Sequence, residues 1–141
     1  MDFYRNHKAN LEQLLARYPD QFSTRENVGF VWPDGWNALV AEVCDQMEFY
    51  SPALRWLQIK EKFAGLRMYY VDGPLVADDV VKMETIVRID GTYPDASIVQ
   101  PLIDLAVRRS TETCMACGQY GSRRVKDGYV LTACEHCFTA P

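Results

Sequence analysis

Two cysteine pairs near the C-terminal end constrain this chain more than any other feature: Cys114-Met-Ala-Cys117 and Cys134-Glu-His-Cys137, separated by 16 residues. Each CxxC turn brings two sulfurs to one point, and two such turns complete a tetrahedron around a single ion. The spacing predicts one structural zinc ion per chain, held by Cys114, Cys117, Cys134 and Cys137. Gly118 stands directly after the first pair, where a knuckle calls for a positive φ. Gly121, Asp127 and Gly128 mark turns, and Tyr129 to Thr132 have the β-branched and aromatic composition of a returning strand. Residues 111–141 therefore read as a zinc ribbon. A pair of disulfides is disfavoured under reducing conditions, and a redox CxxC belongs in a βαβ context that the pattern lacks. His136 is an alternative ligand, although its place inside the second CxxC turn directs it to solvent.

Four sulfur ligands leave zinc no position for water, so such an ion serves folding and is unsuited to Lewis-acid hydrolysis. Arg123, Arg124 and Lys126 lie between the two pairs and form the densest basic cluster in the chain. They suit phosphate or an acidic protein surface, and equally a plain solvated loop. The chain as a whole carries a net charge of -4, so any surface for nucleic acid has to be local. Residues 1–110 hold the imbalance, with 12 Lys and Arg against 16 Asp and Glu, whereas residues 111–141 carry 3 of each.

Of the 141 residues 48% are hydrophobic, enough for one buried core without disulfides. The pattern upstream of the ribbon is α+β: amphipathic helices packed on a small antiparallel β-hairpin, with residues 1–110 forming a body and 111–141 the ribbon. Phe3, Leu11, Leu14, Leu15 and Tyr18 recur at helical spacing from Asp2 to Tyr18, and Pro19 ends that helix. His7 sits on this stripe as a packed or surface histidine. Residues 19–35 read as loop, with Asp34 as N-cap of a second helix whose buried face comprises Trp36, Leu39, Val40, Val43, Cys44, Met47 and Tyr50. Cys44 in that stripe acts as a small buried hydrophobe. Two further helical patterns, Val76/Val80/Met83/Val87 and Ile98/Leu102/Leu105/Ala106, flank a break at Gly91 to Pro94. Pro101 starts or kinks the second of them.

From Leu54 to Val71 the period changes from helical to alternating. With Ala64 and Gly65 as the turn, Leu57, Ile59, Phe63, Leu66, Met68 and Tyr70 share the core face, and Gln58, Lys60, Lys62, Arg67 and Tyr69 the other. Glu61 falls on the core side unless a bulge or slip turns it outward, and alanine at the first turn position leaves a longer loop open. The outer face combines Lys60, Lys62 and Arg67 with Trp56 and Tyr69, a mixture of cations and rings that suits nucleic acid or an acidic partner. The competing reading is a solvated sheet face whose charges prevent edge aggregation.

The sequence contains no Gly-rich phosphate loop, no GxSxG elbow and no HExxH. Asp78 and Asp79 fit a helix start, where negative charge complements the dipole. No run of 18 uncharged apolar residues occurs, and the segment MDFYRNHKANLEQ is charged where a secretory signal needs an apolar run, so a cytoplasmic location away from membranes is expected.

The segment LRWLQIKEKFAGLRMYY from Leu54 to Tyr70, with the GWNALV helix start at Gly35 to Val40 and the CMACG and CEHC knuckles, resembles a family of small uncharacterised proteins encoded by bacteriophages and prophages. The likeness spans roughly residues 35–138. It implies a bacterial host cytoplasm and an accessory role. The expected function is that of a non-enzymatic interaction protein that binds and inhibits or redirects a host macromolecular machine, such as a CRISPR or other defence complex. A nucleic-acid-binding zinc-ribbon module using Arg123, Arg124, Lys126 and the hairpin cations is the alternative, and a carboxylate-dependent enzyme the second alternative.

Overall fold

The computed structural model describes residues 2–23, 29–72 and 98–140. The predicted helix through Val76 and Val87, the break at Gly91 to Pro94 and the Asp78/Asp79 pair lie outside these residues. The order is α1 (His7–Arg17), β1 (Phe30–Val31), a single 3-10 turn (Asp34–Trp36), α2 (Asn37–Tyr50), β2 (Leu54–Lys62), β3 (Gly65–Asp72), α3 (Val99–Ser110), β4 (Ser122–Lys126), β5 (Tyr129–Ala133) and α4 (Glu135–Thr139). Strands β1, β2 and β3 form one sheet in that order and β4 and β5 a second, so the architecture is the α+β arrangement expected from the sequence. Among the described residues no helix is long and apolar enough to cross a membrane.

The hairpin departs from simple alternation at one residue. Trp56 pairs with Tyr70, yet Gln58 pairs with Tyr69, so Leu57 is an extra residue bulged out of the ladder. This inverts the alternation upstream of it: Trp56 and Ile59, three apart, both face the core and are fully buried, while Leu57 is only half-buried. Trp56 therefore belongs to the core and not to the outer face predicted for it. The turn differs as well. Phe63 and Ala64, at φ 51° and 63°, occupy the two central positions between paired Lys62 and Gly65, so the tight turn is one residue earlier than Ala64-Gly65. Phe63 is consequently thrown out to solvent with 69% exposure, and Lys62 lies over its ring. Glu61 stays on the core side of the strand, and its carboxylate accepts a hydrogen bond from the Ala64 N–H at 2.8 Å. That bond anchors the turn that alanine alone makes poorly.

Residues 19–35, read as loop, contribute more than connection. Phe30 and Val31 add a short parallel strand against Ile59 and Lys60. Gln21, Phe22, Phe30 and Trp32 are buried, and Phe22 meets Phe30 edge-on at 5.2 Å. Gln21 acts as a substitute strand residue: its carbonyl accepts from Trp56 N, its side-chain carbonyl from Trp56 Nε1, and its amide donates to Cys44 O and Glu48 Oε1. Each of the three tryptophans is buried with its ring N–H bonded, Trp32 to Asn37 and Trp36 to the Thr113 carbonyl. Burying indole is favourable only when that donor finds an acceptor.

Helix α1 begins at His7, later than the apolar spacing suggests, and buries Leu14 with Tyr18 just past its end. Asp34 does not cap α2, whose N-cap is Trp36; it is the first residue of the 3-10 turn that precedes that helix. Its carboxylate instead accepts from Asn6 N at 3.0 Å and Asn10 Nδ2 at 3.4 Å, capping α1 from across the fold. Helix α2 buries Leu39, Val40, Val43, Cys44 and Met47, but Tyr50 is half exposed and stacks edge-on with Phe49. Helix α3 packs on α2 and β3. Its buried stripe is Val99, Ile103, Ala106 and Ser110; Ala106 is buried as predicted, but Val99 and Ile103 take the places expected of Ile98 and Leu102, and Ile98 and Leu105 are exposed. Pro101 sits in its first turn, where the missing N–H has no intrahelical partner to lose. Buried Ser110 Oγ accepts from Leu66 N and closes the outer edge of β3.

Gln21→Leu removes the carbonyl acceptor of buried Trp56 Nε1 and one of two donors to the Cys44 carbonyl, which keeps its intrahelical bond. It should lower the unfolding free energy by about 3 kcal/mol. Gln100→Ala, which breaks only an exposed bond to Asp104, should stay within about 0.5 kcal/mol. Urea unfolding followed by tryptophan fluorescence measures both.

A candidate metal centre

The first knuckle is held chiefly by backbone bonds, with Gln119 N also donating to Cys117 Sγ at 3.5 Å. Cys114 N donates to Gln119 O at 2.7 Å and Gly118 N to Cys114 O at 2.9 Å, with Thr113 and Tyr120 bridged at its base. Gly118 has φ 83°, the left-handed conformation expected from its place after the pair. The second knuckle runs from β5 into α4. Cys134 is extended, and its Sγ accepts from Cys137 N at 3.4 Å as the N-cap of that short helix. Tyr129–Ala133 pairs with Ser122–Lys126 across the Asp127-Gly128 turn, both of whose φ angles are positive, at 53° and 83°. The expected strand and turn positions of the ribbon are thus found.

The sulfurs of Cys114, Cys117, Cys134 and Cys137 all lie within 4.8 Å of one another, and this cluster can hold a metal ion. The Cys117 and Cys134 sulfurs are 3.7 Å apart, well beyond the roughly 2.05 Å of a disulfide bond. All five cysteines are free thiols. Among the described residues no other group of three or more His, Cys, Asp or Glu side chains converges in this way, and exposed His136 stands outside the cluster.

Electrostatics in the cluster are uneven. Burial pushes the Cys114 thiol up, but backbone N–H groups of Cys134, Cys117 and Ala116 outweigh it and bring the group to about 7. Cys137 is driven the other way, first by burial and then by the neighbouring thiols of Cys134, Cys117 and Cys114. Cys117 is also raised, chiefly by burial. Cys114 ionises readily while Cys137 and Cys117 hold their protons, because burial and the neighbouring thiols disfavour further negative charge there. A cation at the centre offsets that charge, so the arrangement is organised for metal. Cys44, in α2, is a separate case: burial pushes it up to about 12, as befits an inert core thiol.

The ribbon is seated on the body through backbone contact. Gly35 N donates to Met115 O at 2.8 Å, and a Cβ at position 35 would come within 1.9 Å of the Cys114 carbonyl oxygen. Trp36 and Thr132 add bonds, the latter from its Oγ1 to Ala64 O at 3.1 Å.

The predicted basic residues divide into two groups. On the ribbon, Arg123 is exposed, whereas Arg124 donates from Nε to Ala133 O and lies 5.0 Å from the Phe138 ring centroid, with Lys126 5.7 Å from the same centroid. On the hairpin, Lys60 stands directly opposite Arg67, and Tyr69 opposite Gln58, all on the face away from the core. Lys62 is at the turn, and Trp56 is not on this surface. Sequence reasoning passed over three exposed apolar side chains of the ribbon: Tyr120 and Tyr129, each 76% exposed, and Val125, 64% exposed. Strand alternation sets Val125 with Val130 on one face and Tyr129 with Lys126 on the other, so it could not by itself have placed both outside.

Thiol labelling distinguishes the two environments. Metal-loaded folded protein should show almost no fast-reacting thiol, a chelator should release four, and the fifth, Cys44, should react only on unfolding in guanidinium, as counted with a chromogenic disulfide reagent. The chain matches no family model, no curated protein and no solved structure.

Proposed function

We propose that this chain is a zinc-stabilised binding protein with no catalysis of its own, which docks on a macromolecular partner through its surface. The observation that carries the reading is the convergence of four cysteine sulfurs within 4.8 Å. Zinc bound at about 2.3 Å by four thiolates requires sulfurs roughly 3.8 Å apart, close to the 3.7 Å between Cys117 and Cys134. Soft sulfur donors in a tetrahedron favour zinc over hard cations. Cys114, Cys117, Cys134 and Cys137 would fill its coordination, and the ion would supply folding free energy on the order of 10 kcal/mol. Function then rests on what the ribbon and hairpin display.

In its wider setting we place the chain as a phage-encoded accessory protein in the bacterial host cytoplasm, acting on a host machine such as a defence complex. A nucleic-acid module is the second reading, favoured by the exposure of Arg123, Tyr120, Val125 and Tyr129 on the ribbon. It requires mobility shifts of DNA or RNA that weaken steeply with salt and disappear when Arg123, Arg124 and Lys126 are neutralised.

Two outcomes are expected. Purified protein should carry about one zinc ion per chain by elemental analysis, and Cys114→Ser or Cys137→Ser should lose it and unfold the ribbon; fully folded, metal-free protein would refute the metal assignment. Affinity capture from host lysate should retain a specific protein that an unfolded control does not. Failure to retain one across several salt concentrations would sink the docking reading.

A further inference from the structure

The two edges of the ribbon differ. In a hairpin closed by a two-residue turn, the residues flanking the turn exchange both backbone hydrogen bonds, and along each strand such pairs alternate with pairs that exchange none. Lys126 and Tyr129 flank the Asp127-Gly128 turn, so Lys126, Arg124 and Ser122 bond inward to β5. Arg123 and Val125 point their N–H and C=O groups outward. On β5 the corresponding outward residue Thr132 is already covered: its carbonyl accepts from Met115 N at 2.8 Å, and its N–H meets Met115 Sδ at 3.3 Å. No described residue bonds to the backbone of Arg123 or Val125.

The side chains along this open edge select what can pair with it. Arg123, Arg124 and Lys126 occupy three of its five positions, and none forms an ion pair with a described residue. Arg124 and Lys126, two apart, share the face over Phe138, while Arg123 and the largely exposed Val125 share the other. A second copy of the same edge would set cations against cations, which blocks self-pairing. An acidic strand meets no such barrier. Nucleic acid would use the cations but leave the outward N–H and C=O groups of Arg123 and Val125 without strand partners.

We propose that the open edge of β4 is a docking strand for an extended acidic segment of a protein partner, which adds to the ribbon as a further strand. The proposal rests on the docking reading above and gives it a surface and a chemistry. The added strand forms backbone hydrogen bonds with Arg123 and Val125, places acidic residues beside Arg124 and Lys126, and sets an apolar residue against Val125.

The test uses the zinc-loaded full chain and three fluorescent probes read by anisotropy: a peptide of alternating Glu and Val, its Lys-Val counterpart and a single-stranded thymidine oligonucleotide. The Glu-Val peptide should bind, more weakly as salt rises, and the Lys-Val peptide should not. Val125→Pro deletes an outward N–H without removing a ladder bond, so it should weaken peptide binding by about tenfold or more at unchanged zinc content and melting temperature. In the parent chain the amides of Arg123 and Val125 should gain protection from hydrogen exchange on adding the peptide, a measurement that stands even if the proline variant folds poorly. Absence of that protection, failure of the acidic peptide to bind, equal binding by a folded Val125→Pro variant, or tighter binding of the oligonucleotide would each overturn the proposal. The peptide experiments decide the edge, and lysate capture decides the wider docking reading independently.

Discussion

At Gly35 two backbones lie so close that no side chain fits between them, and three parts of the molecule are positioned from that contact. The Gly35 N–H is bonded to the carbonyl of Met115 inside the first cysteine knuckle, and the space a methyl group would take is filled by the Cys114 carbonyl oxygen. One residue earlier, Asp34 reaches back to the start of α1, and one residue later, Trp36 sends its ring N–H to Thr113. A single turn of 3-10 helix therefore fixes the approach of α1, the origin of α2 and the seat of the knuckle. Because this turn is short and its bonds run to distant elements, its stability comes from those elements. Whatever organises Cys114 to Gly118 also organises the start of α2.

A second node does similar work on the other side of the core. Gln21 bonds to Trp56 by both backbone and side chain and to the carbonyl of Cys44, so one buried amide joins the segment after α1 to β2 and α2. The bulge at Leu57 makes this possible, since without the extra residue the indole of Trp56 would face away from the core. The two nodes have the same logic: a polar contact with fixed geometry sets the register, and the apolar packing around it supplies most of the stability.

These nodes mark the limit of what could be read from residue patterns. The frame of the ribbon was readable because its determinants are local: CxxC turns, a glycine at positive φ, and an Asp-Gly turn; the stretch of Arg123 to Lys126, read as loop, is strand β4. The α2 stripe was readable for the same reason, since Leu39, Val40, Val43, Cys44 and Met47 repeat with the helix. The departures arise where a distant partner decides. Leu57 bulges because Trp56 and Ile59 must both reach one core, Asp34 turns from its own helix because Asn6 presents an N–H, and α3 turns Val99 and Ile103 inward so that Ser110 can bond Leu66. A two-residue strand such as Phe30-Val31 has no period to detect. Four cysteine positions specified the candidate metal centre, but the surface beside it became visible only once strand pairing showed which side chains point outward.

The ribbon thereby separates two roles that a small unit must reconcile. Its inner edge, at Thr132, is bonded to the knuckle and carries a hydroxyl to Ala64, so that side is committed to holding the chain together. Its outer edge carries three cations and no backbone partner among the described residues. A bare two-stranded hairpin of this length is marginal in water, and an exposed strand edge invites aggregation. With a metal ion bound, the four-sulfur cluster would answer the first problem by closing the hairpin at its base, and like charge along β4 would answer the second by repelling identical edges. The same charge that prevents self-association is the property by which an oppositely charged strand would be told apart, so protection and selectivity follow from one set of residues.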